Sequence, residues 1–161
     1  MREDDISGSI PPRIKIRGIL ETVMNKDPKI KVFCDGGARG NPGPAASAFV
    51  VEVDGKAFYK ESKFLGNATN NVAEYGAVIL ALDWLAANVA GRNVEIVLDS
   101  ELVAKQMAGV FKVKNENLRN LFLKAKGLEK KGSVRVSYAV VRREKNKLAD
   151  FLVNKSLNEN T

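Results

Sequence analysis

The chain has 161 residues, enough for one domain with a core of its own. Apolar residues make up 45% and charged residues 28%, the mix of a soluble globular protein, and the formal net charge of +7 favours a polyanionic partner such as nucleic acid. Histidine is absent and Cys34 is the single cysteine. That inventory excludes Ser–His–Asp and Cys–His catalysis, an intramolecular disulfide and the usual zinc sites, and leaves carboxylates, lysines, hydroxyls or a hard metal ion to carry any chemistry.

Residues 1–28 read differently from the rest. Gly8, Pro11 and Pro12 punctuate them, and residues 14–24 carry apolar positions at roughly helical spacing. This is an N-terminal extension to which no role is assigned. Its acidic start lacks the apolar centre of a secretory signal. A short strand is expected over 30–34, ending at Asp35, followed by a glycine- and proline-rich loop over 36–44. A second strand over 45–53 meets a hairpin signal, Asp54–Gly55, and a third strand returns over 57–65. Residues 66–71 read as a loop, and 72–89 as a long helix capped by Thr69 or the neighbouring asparagines. Its apolar run is broken by Asp83 and Asn88, too short and polar for a bilayer span. A buried strand over 94–98 ends at Asp99. Helices over 101–108 and 117–131, a strand over 134–141 and a helix over 146–157 complete the chain. The order of elements predicts an α/β domain. Its five-stranded mixed sheet has three antiparallel and two parallel strands, with helices on both faces. Cys34 and Trp84 fit the core better than a reactive thiol or a base-stacking platform.

Four acids stand where chemistry is expected. Asp35 and Asp99 end two strands that, if adjacent and parallel, bring their carboxyl ends together, the usual place for a ligand on an open sheet. Glu74 and Asp150 lie one turn into the first and last long helices. Four converging carboxylates repel one another unless protons or a hard divalent cation compensate them. Magnesium suits oxygen ligands and a phosphate substrate, and two such ions can activate water and stabilise a leaving oxygen. Each acid also has a plainer reading. Asp35 is a turn residue, Glu74 a helix-dipole acid, Asp99–Ser100 a helix cap and Asp150 part of a solvated face.

The string Asp35-Gly36-Gly37-Ala38-Arg39-Gly40-Asn41-Pro42-Gly43-Pro44-Ala45 resembles the first motif of the type 1 ribonuclease H family. Thr69-Asn70-Asn71-Val72-Ala73-Glu74 resembles the second, Leu98-Asp99-Ser100-Glu101-Leu102-Val103 the third, and Arg143-Glu144-Lys145-Asn146-Lys147-Leu148-Ala149-Asp150 the last. All four occur in family order, and the likeness spans residues 29–158, leaving 159–161 as a tail. The resemblance implies the ribonuclease H fold and hydrolysis of the RNA strand of RNA–DNA hybrids by two metal ions. The ions are magnesium, with manganese as an alternative, and the products carry 5′-phosphate and 3′-hydroxyl ends. It implies Asp35, Glu74, Asp99 and Asp150 as catalytic metal ligands. Gly36, Gly37, Asn41, Asn70 and Asn71 are implied at the hybrid's minor groove, where a 2′-hydroxyl distinguishes RNA from DNA. Thr69 and Asn115 are implied as a phosphate pocket for the DNA strand. The same residues also read as a turn and helix caps.

The chain departs from the family pattern twice. The loop before the last acid lacks the histidine that many relatives carry, so it resembles a histidine-free branch in which Arg143 or Glu144 takes over part of that role. The link from Asp99 to Asn115 lacks a tryptophan-bearing basic handle and retains Lys105, Lys112 and Lys114. The competing functions are a binding module on the same fold that holds hybrid without cutting it, and a strand-transfer or junction-resolving nuclease. Intact acids oppose the first, and the Asn-Pro-Gly and Thr-Asn-Asn motifs oppose the second. A monomer in the cytoplasm, with no membrane partner, is expected from the lone cysteine and the lack of an apolar span.

Overall fold

A computed structural model describes residues 27–161. The extension, with its expected helix over 14–24, lies outside the described residues apart from Asp27 and Pro28. Three strands, β1 (Ile30–Ala38), β2 (Gly43–Val53) and β3 (Lys56–Ala68), form an antiparallel meander. After helix α1 (Asn70–Asn88), strand β4 (Asn93–Leu98) pairs parallel to β1. Helices α2 (Glu101–Met107) and α3 (Glu116–Gly132) lead to β5 (Arg135–Val140), parallel to β4. A short 3₁₀ turn, Arg143–Lys145, precedes helix α4 (Lys147–Asn160). The strand order is β3-β2-β1-β4-β5, the mixed sheet expected from the sequence.

Both faces of the sheet are covered, so β2 reads as a near-continuous apolar run rather than an alternating one. On one face Val32, Cys34, Phe49 and Val51 pack under α1, α2 and α3, with Tyr75, Leu82, Leu85, Met107 and Leu118. On the other, Ala46, Ala48 and Val50 receive Ala149, Leu152, Val153 and Leu157 of α4. Cys34 is fully buried, and Trp84 stacks on Tyr59 with ring centroids 4.8 Å apart. The Asp54–Gly55 turn joins β2 to β3 with φ of +50° and +83°, the mirror-image turn that matches strand twist.

The expected loop over 36–44 is shorter in the structure. Strand β1 continues through Gly36, Gly37 and Ala38, which pair with Ser47, Ala46 and Ala45, so only Arg39–Pro42 turn. Asp35 therefore sits inside a strand rather than at its end. Turn-forming residue types misled here because Gly36 serves close packing of the strand against helix α1. Likewise β3 runs to Ala68, with a register shift opposite Ala45/Ala46 that leaves Leu65 as the extra residue beside Gly66 at φ +77°. Helix α4 extends beyond residue 157 to Asn160.

Candidate active site

The site lies where the parallel pair β1–β4 ends. Residues Ile30–Phe33 pair with Val94–Val97, so continuing the register sets Asp35 beside Asp99 at the sheet's centre. Helix α1 starts where Thr69 accepts a hydrogen bond from the Val72 amide at 3.2 Å. One turn later the Ala73 carbonyl lies against Gly36 and accepts a hydrogen bond from Ser47 Oγ at 2.6 Å. A Cβ at Gly36 would fall 2.1 Å from that oxygen. Only glycine lets the helix this close, and the approach carries Glu74 to Asp35. Asp150 arrives on the first turn of α4. That helix is fixed by Asn146, buried, whose Nδ2 donates to the Cys34 carbonyl at 2.8 Å, one residue before Asp35.

Asp35, Glu74 and Asp99 each offer a carboxylate oxygen, and these atoms lie within 4.8 Å of one another. Asp150 lines the same cleft, of about 330 Å³, together with Gly36, Gly37, Asn70, Asn71, Ser100 and Arg143. Burial, then the charge of Asp99, pushes Asp35 up to about 7, against a hydrogen bond with Glu74 that favours its charged form. Asp150 acts in the raising direction, both by charge and by a hydrogen bond with Asp35. Burial, then the charges of Asp35 and Asp99, pushes Glu74 up to about 10, with the Gly36 amide pulling the other way. Burial also raises Asp99, which the Arg143 guanidinium holds down in part. Glu74 Oε2 and Asp99 Oδ2 are buried with no hydrogen-bond partner. Buried carboxylates with orphaned oxygens and little cationic compensation fit a hard divalent cation, which takes oxygen ligands and offsets their repulsion.

The structure thus brings the four predicted acids to one cleft, with Gly36, Gly37, Asn70, Asn71 and Arg143 on its lining. Glu144 is exposed on the 3₁₀ turn and does not line it. Asn41, Thr69 and Asn115 stand outside the lining. Asn41 Oδ1 accepts from the Asn70 amide at 3.0 Å, and Asn70 Oδ1 accepts from the Ala38 amide at 2.8 Å, so these asparagines tie the β1–β2 turn to α1. Asn115 caps α3 by accepting from the Leu118 amide at 3.1 Å. The sequence reading gave no role to Asn146, Ser47 or Arg39. Asn146 and Arg39 lay inside quoted motifs, but the partners that give them meaning are distant in sequence.

The acid cluster makes stability depend on pH and metal. The folded Asp35 and Glu74 carboxyls hold protons well above their ordinary values of 3.8 and 4.5. Between those values and about 7 and 10 the folded chain binds more protons than the unfolded one, so stability falls as pH rises through this window. Metal-free melts at pH 4–9 should show this once a Glu74→Gln variant's Tm is subtracted to remove the rest of the chain's titration. A divalent cation at a hundred times its Kd should raise Tm by about 5–10 °C at pH 8, and less at pH 5 where protons compete. A pH-independent difference from Glu74→Gln, with no metal shift, would overturn the clustered-acid account.

Known proteins match this arrangement. A protein-family profile described as "Reverse transcriptase-like" matches residues 33–156. The "Bifunctional protein Rv2228c" of Mycobacterium tuberculosis is 40% identical over 131 residues, which are 80% of this chain and 35% of that protein. "Ribonuclease HI" of Halobacterium salinarum is 38% identical over 132 residues, 81% of this chain and 65% of that one. The chain therefore spans between about a third and two thirds of these relatives' lengths. A crystal structure of LC11-RNase H1 in complex with an RNA/DNA hybrid superposes with a TM-score of 0.79 at 39% identity, covering 82% of this chain and 99% of that one. With the motifs in order, the acids gathered and a solved relative matched over almost its whole length, the chain belongs to the type 1 ribonuclease H family.

Proposed function

We propose that the chain is a metal-dependent endonuclease that hydrolyses the RNA strand of RNA–DNA hybrids. The observation that carries this reading is the approach of Asp35, Glu74 and Asp99 within 4.8 Å, beside Asp150, in an open cleft on a basic chain. Asp35, Glu74, Asp99 and Asp150 would hold the ions, which we take to be two of magnesium, with manganese as an alternative. When bound, such ions lower the pKa of water and stabilise charge on the leaving oxygen. The protein's own groups do the rest. Gly36, Asn146 and Ser47 fix the elements that carry the acids, and Arg143 tempers Asp99. Asn70 spends its carbonyl on Ala38, which leaves its two amide N–H donors for a ribose 2′-hydroxyl. A monomer in the cytoplasm remains our expectation, and no helix among the described residues is long and apolar enough to cross a membrane.

The test is a labelled RNA–DNA hybrid offered with and without magnesium, beside RNA duplex, DNA duplex and single strands. Cleavage should be confined to the RNA of the hybrid and require metal, giving 5′-phosphate and 3′-hydroxyl ends. Binding without cutting would establish a non-catalytic module, and cut DNA duplex a junction-type nuclease. A 2′,3′-cyclic phosphate would make the ribose the nucleophile.

The role of Asn115 is separable. Asn115→Ala should destabilise the fold by about 1 kcal/mol through loss of the cap. Asn115→Asp keeps the cap acceptor and should melt like wild type. If Asn115 also meets a DNA phosphate, the aspartate should weaken hybrid binding roughly tenfold while leaving DNA duplex uncut. Unchanged binding by Asn115→Asp would confine Asn115 to capping.

A further inference from the structure

We propose that Arg39 binds a backbone phosphate of the strand lying in the acidic cleft, and that Asn158 holds it in position to do so. This rests on the hybrid-cleaving reading above.

Arg39 is exposed in the four-residue turn between β1 and β2, and it lines the same cleft as the four acids. Its amide donates to the Pro44 carbonyl at 2.8 Å, which fixes the turn. Its guanidinium Nη2 donates to Asn158 Oδ1 at 2.6 Å, a partner 119 positions away near the end of α4. That acceptor is neutral. Lys31, Lys105, Lys126 and Lys155 each pair with a glutamate, whereas Arg39 pairs with no carboxylate among the described residues. A neutral tether aims the side chain and restricts its rotamers before a ligand arrives, yet it leaves the positive charge uncompensated. The planar fork keeps further N–H donors for an anion, and a phosphate accepts two in parallel.

Position supports the same reading. Asn158 lies eight residues after Asp150 on one helix, so Arg39's anchor stands about 12 Å along α4 from the acid. That is too far to serve as a partner for the acid cluster, and the arginine that tempers Asp99 is Arg143. A strand whose scissile phosphate lies at the acids presents its neighbouring phosphates along the cleft, where the free donors of Arg39 stand. The ionised acids of the cluster repel a polyanion, and a cation aimed at an adjacent phosphate offsets that repulsion without neutralising the metal ligands.

The test measures hybrid binding in EDTA, where no cleavage occurs, as a function of potassium chloride. Each phosphate contact contributes about 0.9 to the slope of log K against log salt. Arg39→Gln should flatten the slope by about that much and weaken binding roughly tenfold at low salt, equally for hybrids of different sequence. Arg39→Lys should restore the slope but not the full affinity, because a point charge replaces the fork. Asn158→Ala should keep the slope, since the charge remains, and weaken binding severalfold because the side chain is no longer aimed. With magnesium present, KM should rise in all three while kcat changes little, and melting should stay near wild type because both partners are exposed. A wild-type slope in Arg39→Gln, from a chain that does cleave hybrid, would overturn this inference and leave the functional reading standing. A wild-type chain that neither binds nor cleaves hybrid would overturn the functional reading, and Arg39 would then have no phosphate to hold.

Discussion

Replacing Asp35 by asparagine should abolish hybrid cleavage and, in the absence of metal, make the protein more stable. The two effects share one cause. Asp35 is buried at the centre of the sheet and faces Asp99, Glu74 and Asp150. Its carboxyl is held up to about 7 by burial and by the charges of Asp99 and Asp150, against the hydrogen bond with Glu74, so at pH 8 the folded chain carries an anion that it disfavours. An amide of the same shape removes the charge, relaxes Asp99 and Glu74, and keeps β1 paired on both sides. The same change removes anionic compensation from a divalent ion, and preorganised electrostatic groups of this kind carry much of the rate. Loss of activity on the order of a thousandfold is expected. Hybrid binding in EDTA should stay within a few-fold of wild type, because affinity comes mostly from lysine and arginine contacts to phosphates. Melting in EDTA at pH 8 should rise, and the metal-dependent gain in Tm should shrink. Near-normal cleavage by the purified variant would sink the four-acid assignment. Lost activity with lost stability would instead mean that Asp35 holds the fold together.

The opposition of stability and activity at one residue explains why this site was legible in the sequence. Polar groups buried without partners are rare, and a chain that keeps four acids in ordered motifs is keeping them for a ligand. The strands were legible for a different reason. Apolar runs over 30–34, 45–53 and 94–98 follow from a sheet covered on both faces, and Asp54–Gly55 fixes one turn by backbone conformation alone. What stayed hidden depends on contacts between distant residues. Nothing near Arg39 in sequence points to Asn158, and nothing near Asn146 points to the Cys34 carbonyl. Thr69 and Asn115 were read as a phosphate pocket, while locally they cap α1 and α3; a capping residue and a phosphate ligand use the same atoms and look alike in sequence. The glycines were the hardest. Gly36 and Gly37 are adjacent and identical in type, and in the sequence both fall in one loop with one implied purpose, a place at the hybrid's minor groove.

The structure gives those two glycines different neighbours, and alanine at each should tell them apart. At Gly36 a Cβ would lie 2.1 Å from the Ala73 carbonyl oxygen, 2.2 Å from its carbon and 2.5 Å from the Glu74 amide nitrogen. All three are helix backbone, so no side-chain rotation relieves the contact. Either β1 or the first turn of α1 must move. The helix is also held to β2 by the Ser47–Ala73 hydrogen bond, and Gly36 pairs directly with Ser47. Gly36→Ala should therefore destabilise the fold by about 3 kcal/mol, a drop in Tm of about 6–12 °C. It should also displace Glu74, whose carboxylate takes a hydrogen bond from the Gly36 amide. A shift of about 1 Å in a positioned group is enough for roughly a hundredfold loss in rate. That loss should persist well below the variant's melting temperature and should be accompanied by weaker metal binding, which unfolding alone would not produce at that temperature. At Gly37 a Cβ meets only Val153 Cγ1 at 3.7 Å, an ordinary contact. Gly37→Ala should melt within about 0.5 kcal/mol of wild type. Any loss it shows should appear in KM for hybrid rather than in metal affinity, because Gly37 lines the cleft without touching α1's first turn. If Gly36→Ala melts and binds metal like wild type, the glycine is not there for the helix, and its role reverts to making room for the substrate.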